Sequence, residues 1–321
     1  MNAVFADQEP KSTTETRRHG EEQIETLPRI NTDATDQGQA QIEAENPLNE
    51  KTNTLRHYKG LFEYTSGMDL HIGTSVWSYA SWKPAFFPEK LPSKRFLEFY
   101  ATRLNAVELN ATFRRMPTAS AIVGWVGVTS PDFKFAAKVH QSITHFKRLK
   151  DCDDAFRFFL QSMEPMRQSG RLGPILIQTP PNLKADLDLL RAFAQLLPQA
   201  YRFAFEFRHE SWFTDAVYEI LKSKNAALCW AESEKVVVPK VVTADFLYYR
   251  FREPEYSTPD LHNVAEELKT QSTEREVFAF FKHEEQPESA LNAVTVARLN
   301  GIEEKPFVMP EKKAGKKKTG K

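Results

Sequence analysis

Four apolar stretches of this chain end in ionisable residues spaced two apart, and that repetition restricts the fold more than any single motif. Residues 105–117 read NAVELNATFRRMP, with Val107 and Leu109 on one parity and Glu108, Asn110 and Thr112 on the other. FKFAAKVH puts Lys138 and His140 on one parity, FAFEFRHESW does the same with Glu206 and Arg208, and LYYRFR with Arg250 and Arg252. Successive side chains of a β-strand face opposite sides, so each stretch predicts a strand whose C-terminal end turns charge to one face. One such face is ordinary on an exposed strand. Four of them indicate a shared site at the strand ends.

Helical spacing fills the intervals. LHIGTS is a first strand, and a helix starting at Pro92 and Ser93 buries Phe96, Leu97, Tyr100 and Leu104. Further helices are expected at 118–128 with Ile122, Trp125 and Val126, and at 153–166 with Phe156, Phe159, Leu160 and Met163. The stretches ADLDLLRAFAQLL and TDAVYEILKSKN, a capped helix from Ser257 and a last one near 289–299 complete the set. Between the sixth strand, AALCWAES, and the seventh, FLYYRFR, the segment VVVPKVVTA is too short and too β-branched for a helix. Strand and helix alternating about eight times predict a parallel (β/α)8 TIM-like barrel, its sixth helix missing or replaced by a loop. The rival is an open doubly wound sheet, but GTSVWS after the first strand is not the glycine-rich loop that fold uses for phosphates.

The barrel domain is expected over 69–302. Residues 1–66 are rich in Glu, Thr, Gln, Asn and Asp without apolar period, and predict a disordered acidic and polar arm. Residues 303–321 form a lysine-rich tail, expected to be disordered, through which a weak nucleic-acid contact is conceivable. A net charge of zero gives no global pull toward polyanions. Two cysteines, Cys152 and Cys229, lack metal or disulfide spacing and suit a reducing compartment. No apolar leader or membrane-length apolar run is legible, so a cytoplasmic location is expected.

Barrel chemistry sits at the C-terminal strand ends and the loops after them. That rule selects Thr74, Ser75, Trp77, Glu108, Asn110, Thr112, Lys138, His140, His145, Gln178, Glu206, Arg208, His209, Trp212, Trp230, Glu232, Arg250, Arg252, Lys282, His283 and Glu284. Parity favours Glu108, Asn110, Lys138, His140, Glu206, Arg208 and Arg250. Carboxylates and cations meeting in a partly dry pocket shift one another's pKa values, the condition for acid and base work. Glu108 and Glu206 are therefore expected as acid and base. Lys138, also counted as catalytic, is expected with Arg208 and Arg250 to hold a small phosphate- or carboxylate-bearing substrate, and Trp77, Trp212 and Trp230 to offer a stacking rim. The competing explanation is a self-balancing network, Glu108 with Arg250 and Glu206 with Arg208 or Lys138. Two alternatives stay open: a metal-dependent hydrolase or isomerase built on His140, His145, His209, His283 and the glutamates, and a non-catalytic nucleotide or single-strand binder. No cofactor is predicted. A Schiff-base role for Lys138 is a further possibility in a barrel interior.

The runs IGTSVWSYASWKPAFFP, ELNATFRRMP, ITHFKRL, LIQTPP, EFRHESW and FFKHE, in that order, resemble the YecE-like family, domain of unknown function 72. The resemblance spans about residues 70–299 and implies a TIM-barrel-like fold without implying a reaction. It marks Glu108, Asn110, Thr112, Lys138, Thr144, His145, Glu206, Arg208, His209 and Trp212 as matching motif positions. Val76 stands where members usually carry glycine, Arg114 where a tyrosine is usual, and Arg252–Glu253 where many have His-Gly.

Overall fold

The computed structural model describes residues 69–282 and 285–309. Eight parallel strands close into a barrel in chain order: β1 (Leu70–Thr74), β2 (Ala106–Leu109), β3 (Lys134–Lys138), β4 (Leu172–Gln178), β5 (Phe203–Glu206), β6 (Ala227–Ala231), β7 (Phe246–Phe251) and β8 (Glu276–Phe281). Outside them lie α1 (Phe96–Tyr100), α2 (Ala119–Gly127), α3 (Asp153–Gln168), α4 (Leu187–Gln195), α5 (Asp215–Ser223), α6 (Thr258–Ser272) and α7 (Glu288–Leu299). No helix joins β6 to β7, as the β-branched linker predicts. The expected arm at 1–66 lies outside the described residues.

Helix starts follow from capping side chains. Thr118, Asp186, Thr214 and Ser257 each accept a hydrogen bond from a first-turn backbone N–H, and Ser257 forms a reciprocal capping box with Asp260. Helix one is shorter than its apolar period suggests, because residues 93–95 wind as a 3-10 turn before α1. Gly73 sits where β1 meets β2, and a Cβ there would stand 1.9 Å from the Ala106 carbonyl oxygen. The Tyr100 hydroxyl occupies the same junction, donating to Ala106 O at 2.9 Å and accepting from Thr74 N at 2.8 Å.

Strand parity divides two cores. Val107, Phe135, Ile175, Ile177, Phe205, Leu247 and Phe281 face the helices. Ala106, Ala136, Leu176, Ala204, Ala227, Cys229, Phe246, Tyr248, Phe278 and Phe280 fill the bore. Small residues on β2, β3, β5 and β6 face large aromatics from β7 and β8, so the packing leans across the barrel axis. The N-terminal end is plugged by Glu276, which pairs with His71 at 2.9 Å and with Arg202. Burial alone would raise the Glu276 carboxyl, but His71 and Arg202 overcome it and hold it at about 2.

The domain extends past the expected boundary at 302. Lys305 N donates to Thr102 O at 2.8 Å, Phe307 packs edge-on to Phe99 at 5.1 Å, and Arg95 lies over the Phe307 ring at 4.6 Å. Glu304 pairs with Arg103 and Arg298. Residues 303–309 are thus a strap on α1 and α7, held by Phe307 and Glu304. The GKKKTGK end lies outside the described residues.

Candidate active site

The bore ends at its C-terminal side in charge. Arg250, from β7, donates to Glu108 of β2 at 2.7 Å and to Glu206 of β5 at 2.5 Å. Arg252 donates to the other Glu206 oxygen at 2.8 Å, and the Tyr248 hydroxyl to the other Glu108 oxygen at 2.6 Å. The alternation that sends Tyr248, Arg250 and Arg252 to one face of β7 places all three against carboxylates from non-adjacent strands. Glu108, Glu206 and Arg250 are each no more than 1 % exposed. Burial pushes the Glu206 carboxyl up, but Arg250, Arg252, a Gln178 hydrogen bond and Lys138 outweigh it and hold it at about 2. Cys229, on the bore face of β6, has its thiol pushed well above the ordinary range by burial and by the charge of Glu206.

Lys138 closes β3 beside this network and reaches it only through the neutral amide of Gln178. Its Nζ donates to Gln178 Oε1 at 2.8 Å and lies 4.3 Å from the Phe113 ring centroid, and among the described residues no carboxylate pairs with it. Burial, reinforced by the charges of Arg250 and Lys282 and only partly offset by Glu206 and Glu108, brings its pKa from 10.5 to about 7. His145 packs edge-on to the same Phe113 ring at 4.8 Å, with its Nδ1 on the Thr144 hydroxyl at 2.8 Å. Burial lowers the His145 pKa, and Lys138, Arg208 and Arg148 lower it further. Those three cations therefore share the neighbourhood of one imidazole. Arg208 is exposed; Arg252 and Lys282 are half-buried.

Several expected contacts go elsewhere. Strand β2 stops at Leu109, and Asn110–Phe113 winds as a 3-10 turn, so Asn110 and Thr112 leave the parity of Glu108. The Thr112 hydroxyl is buried between the carbonyls of Leu109 and Lys138, at 2.6 Å from each, where it ties β2 to β3 and is closed to a substrate. Trp212 is fully buried, stacked on Phe207 at 4.6 Å with its Nε1 on Leu183 O at 2.8 Å. Trp77 turns its ring to Trp125 of α2 at 5.3 Å, and Trp230 packs against Tyr249 at 5.1 Å. Trp212 and Trp230 are thus buried in aromatic packing, while Trp77 is half-buried. His140 bonds to the Ser142 hydroxyl and the Arg114 carbonyl. His209 caps the Glu210–Trp212 turn through Ser211 N. Its ring, like that of His140, is half-buried.

Glu108 and Glu206, expected as acid and base, are counter-ions: one carboxylate is sealed by Arg250 and Tyr248, and the other is kept ionised by two guanidiniums. A metal fits the donors poorly. Among the described residues no group of three or more His, Cys, Asp or Glu could hold one, and both oxygens of each bore glutamate already accept hydrogen bonds, those of Glu206 from Arg250 and Arg252 and those of Glu108 from Arg250 and Tyr248. His283 and Glu284 lie outside the described residues. Tyr248 and Phe113 were not singled out from sequence. Tyr248 shares its parity with Arg250 and was legible in principle, whereas Phe113 reaches Lys138 only because the chain turns after Leu109.

Among the described residues no helix is long and apolar enough to cross a membrane. The family profile described as "Protein of unknown function DUF72" matches residues 71–317. The chain is 30% identical over 145 residues to the UPF0759 protein YecE of Escherichia coli (strain K12), covering 45% of this chain and 50% of that one. It is 29% identical over 171 residues to the UPF0759 protein YunF of Bacillus subtilis (strain 168), covering 51% of this chain and 59% of that one. The chain thus matches about half the length of these curated relatives. A crystal structure of a DUF72 family protein from Thermotoga maritima MSB8 superposes with a TM-score of 0.65 at 27% identity, covering 72% of this chain and 98% of that chain.

Proposed function

The chain belongs to the DUF72 family, whose name carries no reaction, and from the geometry of the barrel mouth we propose that it acts on a small phosphate- or carboxylate-bearing molecule, with Lys138 as the proton-exchanging group. The observation that carries this reading is the uneven distribution of counter-ions. Arg250 and Arg252 take both oxygens of Glu206, Arg250 and Tyr248 take both oxygens of Glu108, and among the described residues the Lys138 amine has one hydrogen bond, to the neutral amide of Gln178. Lys138, Arg208 and Arg148 each lie near enough to His145 to lower its pKa, a gathering of positive charge that suits an anion. A lysine near pH 7 is half protonated at neutrality, the state in which one group both donates and accepts a proton efficiently.

Sulfate is a suitable probe because its charge is constant over the range where Lys138 titrates. Calorimetric titration should show one sulfate per chain, and Arg208→Ala should weaken it by about tenfold, the value of one charge-assisted contact. No binding heat, or an affinity indifferent to Arg208→Ala, would count against the reading.

A further inference from the structure

We propose that Lys138 is a nucleophile that forms an imine with the carbonyl group of a small anionic oxo compound, a 2-oxo acid or a phosphorylated aldehyde or ketone. This rests on the anion-binding reading of the same mouth and adds to it a covalent step.

The geometry meets the three requirements of amine addition to a carbonyl. The first is a free lone pair. Lys138 Nζ has no carboxylate partner among the described residues, and its hydrogen bond to Gln178 Oε1 fixes the amine while it is neutral as well as while it is charged. Burial, with the neighbouring cations, keeps it neutral part of the time: at pH 7 a group titrating at about 7 holds on the order of a thousandfold more free amine than an ordinary lysine. The second requirement is a proton carrier beside the amine. Lys138 and His145 pack on one Phe113 ring, at 4.3 Å and 4.8 Å, and with His145 Nδ1 held by Thr144 the other ring nitrogen can carry the proton. The third is an anchor for the substrate's anionic end, which Arg208 and Arg148, near enough to lower the His145 pKa, can supply.

The step balances without a cofactor. The Nζ lone pair attacks the carbonyl carbon as the carbonyl π pair moves to oxygen, which takes a proton from solvent; that charge ends on the product, a protonated imine. The nitrogen loses a proton to His145, and the same histidine returns it to the hydroxyl, which leaves as water while the C–N double bond forms. No atom is oxidised or reduced, and hydrolysis reverses the sequence.

Pyruvate with sodium cyanoborohydride at neutral pH tests this on the full chain, since hydride reduces any imine to a stable N-carboxyethyl-lysine located by peptide mass mapping. The expected result is labelling of Lys138 well ahead of every surface lysine, slowed by sulfate and absent in Lys138→Arg. Labelling spread over surface lysines while sulfate still binds overturns the imine and leaves the anion reading intact. Selective labelling of Lys138 without sulfate binding supports the imine and removes the anion reading. Neither labelling nor binding overturns both. If Lys138→Arg fails to fold, Lys138→Met replaces it as the unlabelled control.

Discussion

Arg250 and Glu108 stand on β7 and β2, strands that are not neighbours, yet their side chains meet at 2.7 Å with both fully buried. The pair spans the bore, and Arg250 reaches Glu206 on β5 as well. Such a guanidinium cross-braces the barrel from within, which accounts for the charge on three strand ends without invoking a reaction for those carboxylates.

Breaking the brace should be costly. Removing one partner of a buried pair leaves the other charge uncompensated, about 3–5 kcal/mol. Glu108→Gln should lower unfolding free energy by that amount in urea, while sulfate affinity at a permissive temperature stays within a factor of about two.

Arg208→Ala should do the reverse. The residue is exposed and supports no core contact, so stability should change by less than about 0.5 kcal/mol while anion affinity falls. Trp212→Ala provides the contrast: deleting a buried, stacked indole should cost about 3–5 kcal/mol, with urea unfolding as the readout, and refolded protein should still bind sulfate.

Two pH windows follow from the shifted groups. Glu206 titrates at about 2 in the fold against an ordinary 4.5, so the folded chain binds fewer protons there. Its contribution is complete above pH 4.5 and is lost as pH falls toward 2. Lys138 has the opposite consequence: its folded pKa of about 7 lies below 10.5, so the unfolded chain holds the extra proton between those values. Stability should therefore climb as pH rises from about 7 to 10.5, at up to ~1.4 kcal/mol per pH. Lys138→Met should flatten that climb in thermal melts across the range, whereas an unchanged slope would assign it to other groups.

The barrel was legible because period-two and period-3.6 patterns alternate cleanly and because VVVPKVVTA carries no helical stripe. The meeting of Glu108, Lys138, Glu206 and Arg250 was legible for the same reason, since parity fixes the bore face. What parity could not give was the division of partners. Whether Arg250 or Lys138 would take the carboxylates depends on reach across the bore, and the long guanidinium fork from β7 spans two acids while Lys138 stops at Gln178. Thr112 and Trp212 misled because a polar or aromatic residue just past a strand end can turn either toward the mouth or back into packing. The Asn110–Phe113 turn and the Phe207 stack sent both into packing.

Lys138 is a buried amine with no carboxylate partner among the described residues, waiting for an anion. The most direct test is an NMR titration of Lys138 with labelled Nζ and Cε, free and with saturating sulfate. The account predicts a midpoint near 7 in the free protein and a rise when sulfate binds, because the anion favours the ammonium. A midpoint near the ordinary 10.5, unmoved by sulfate, would contradict it.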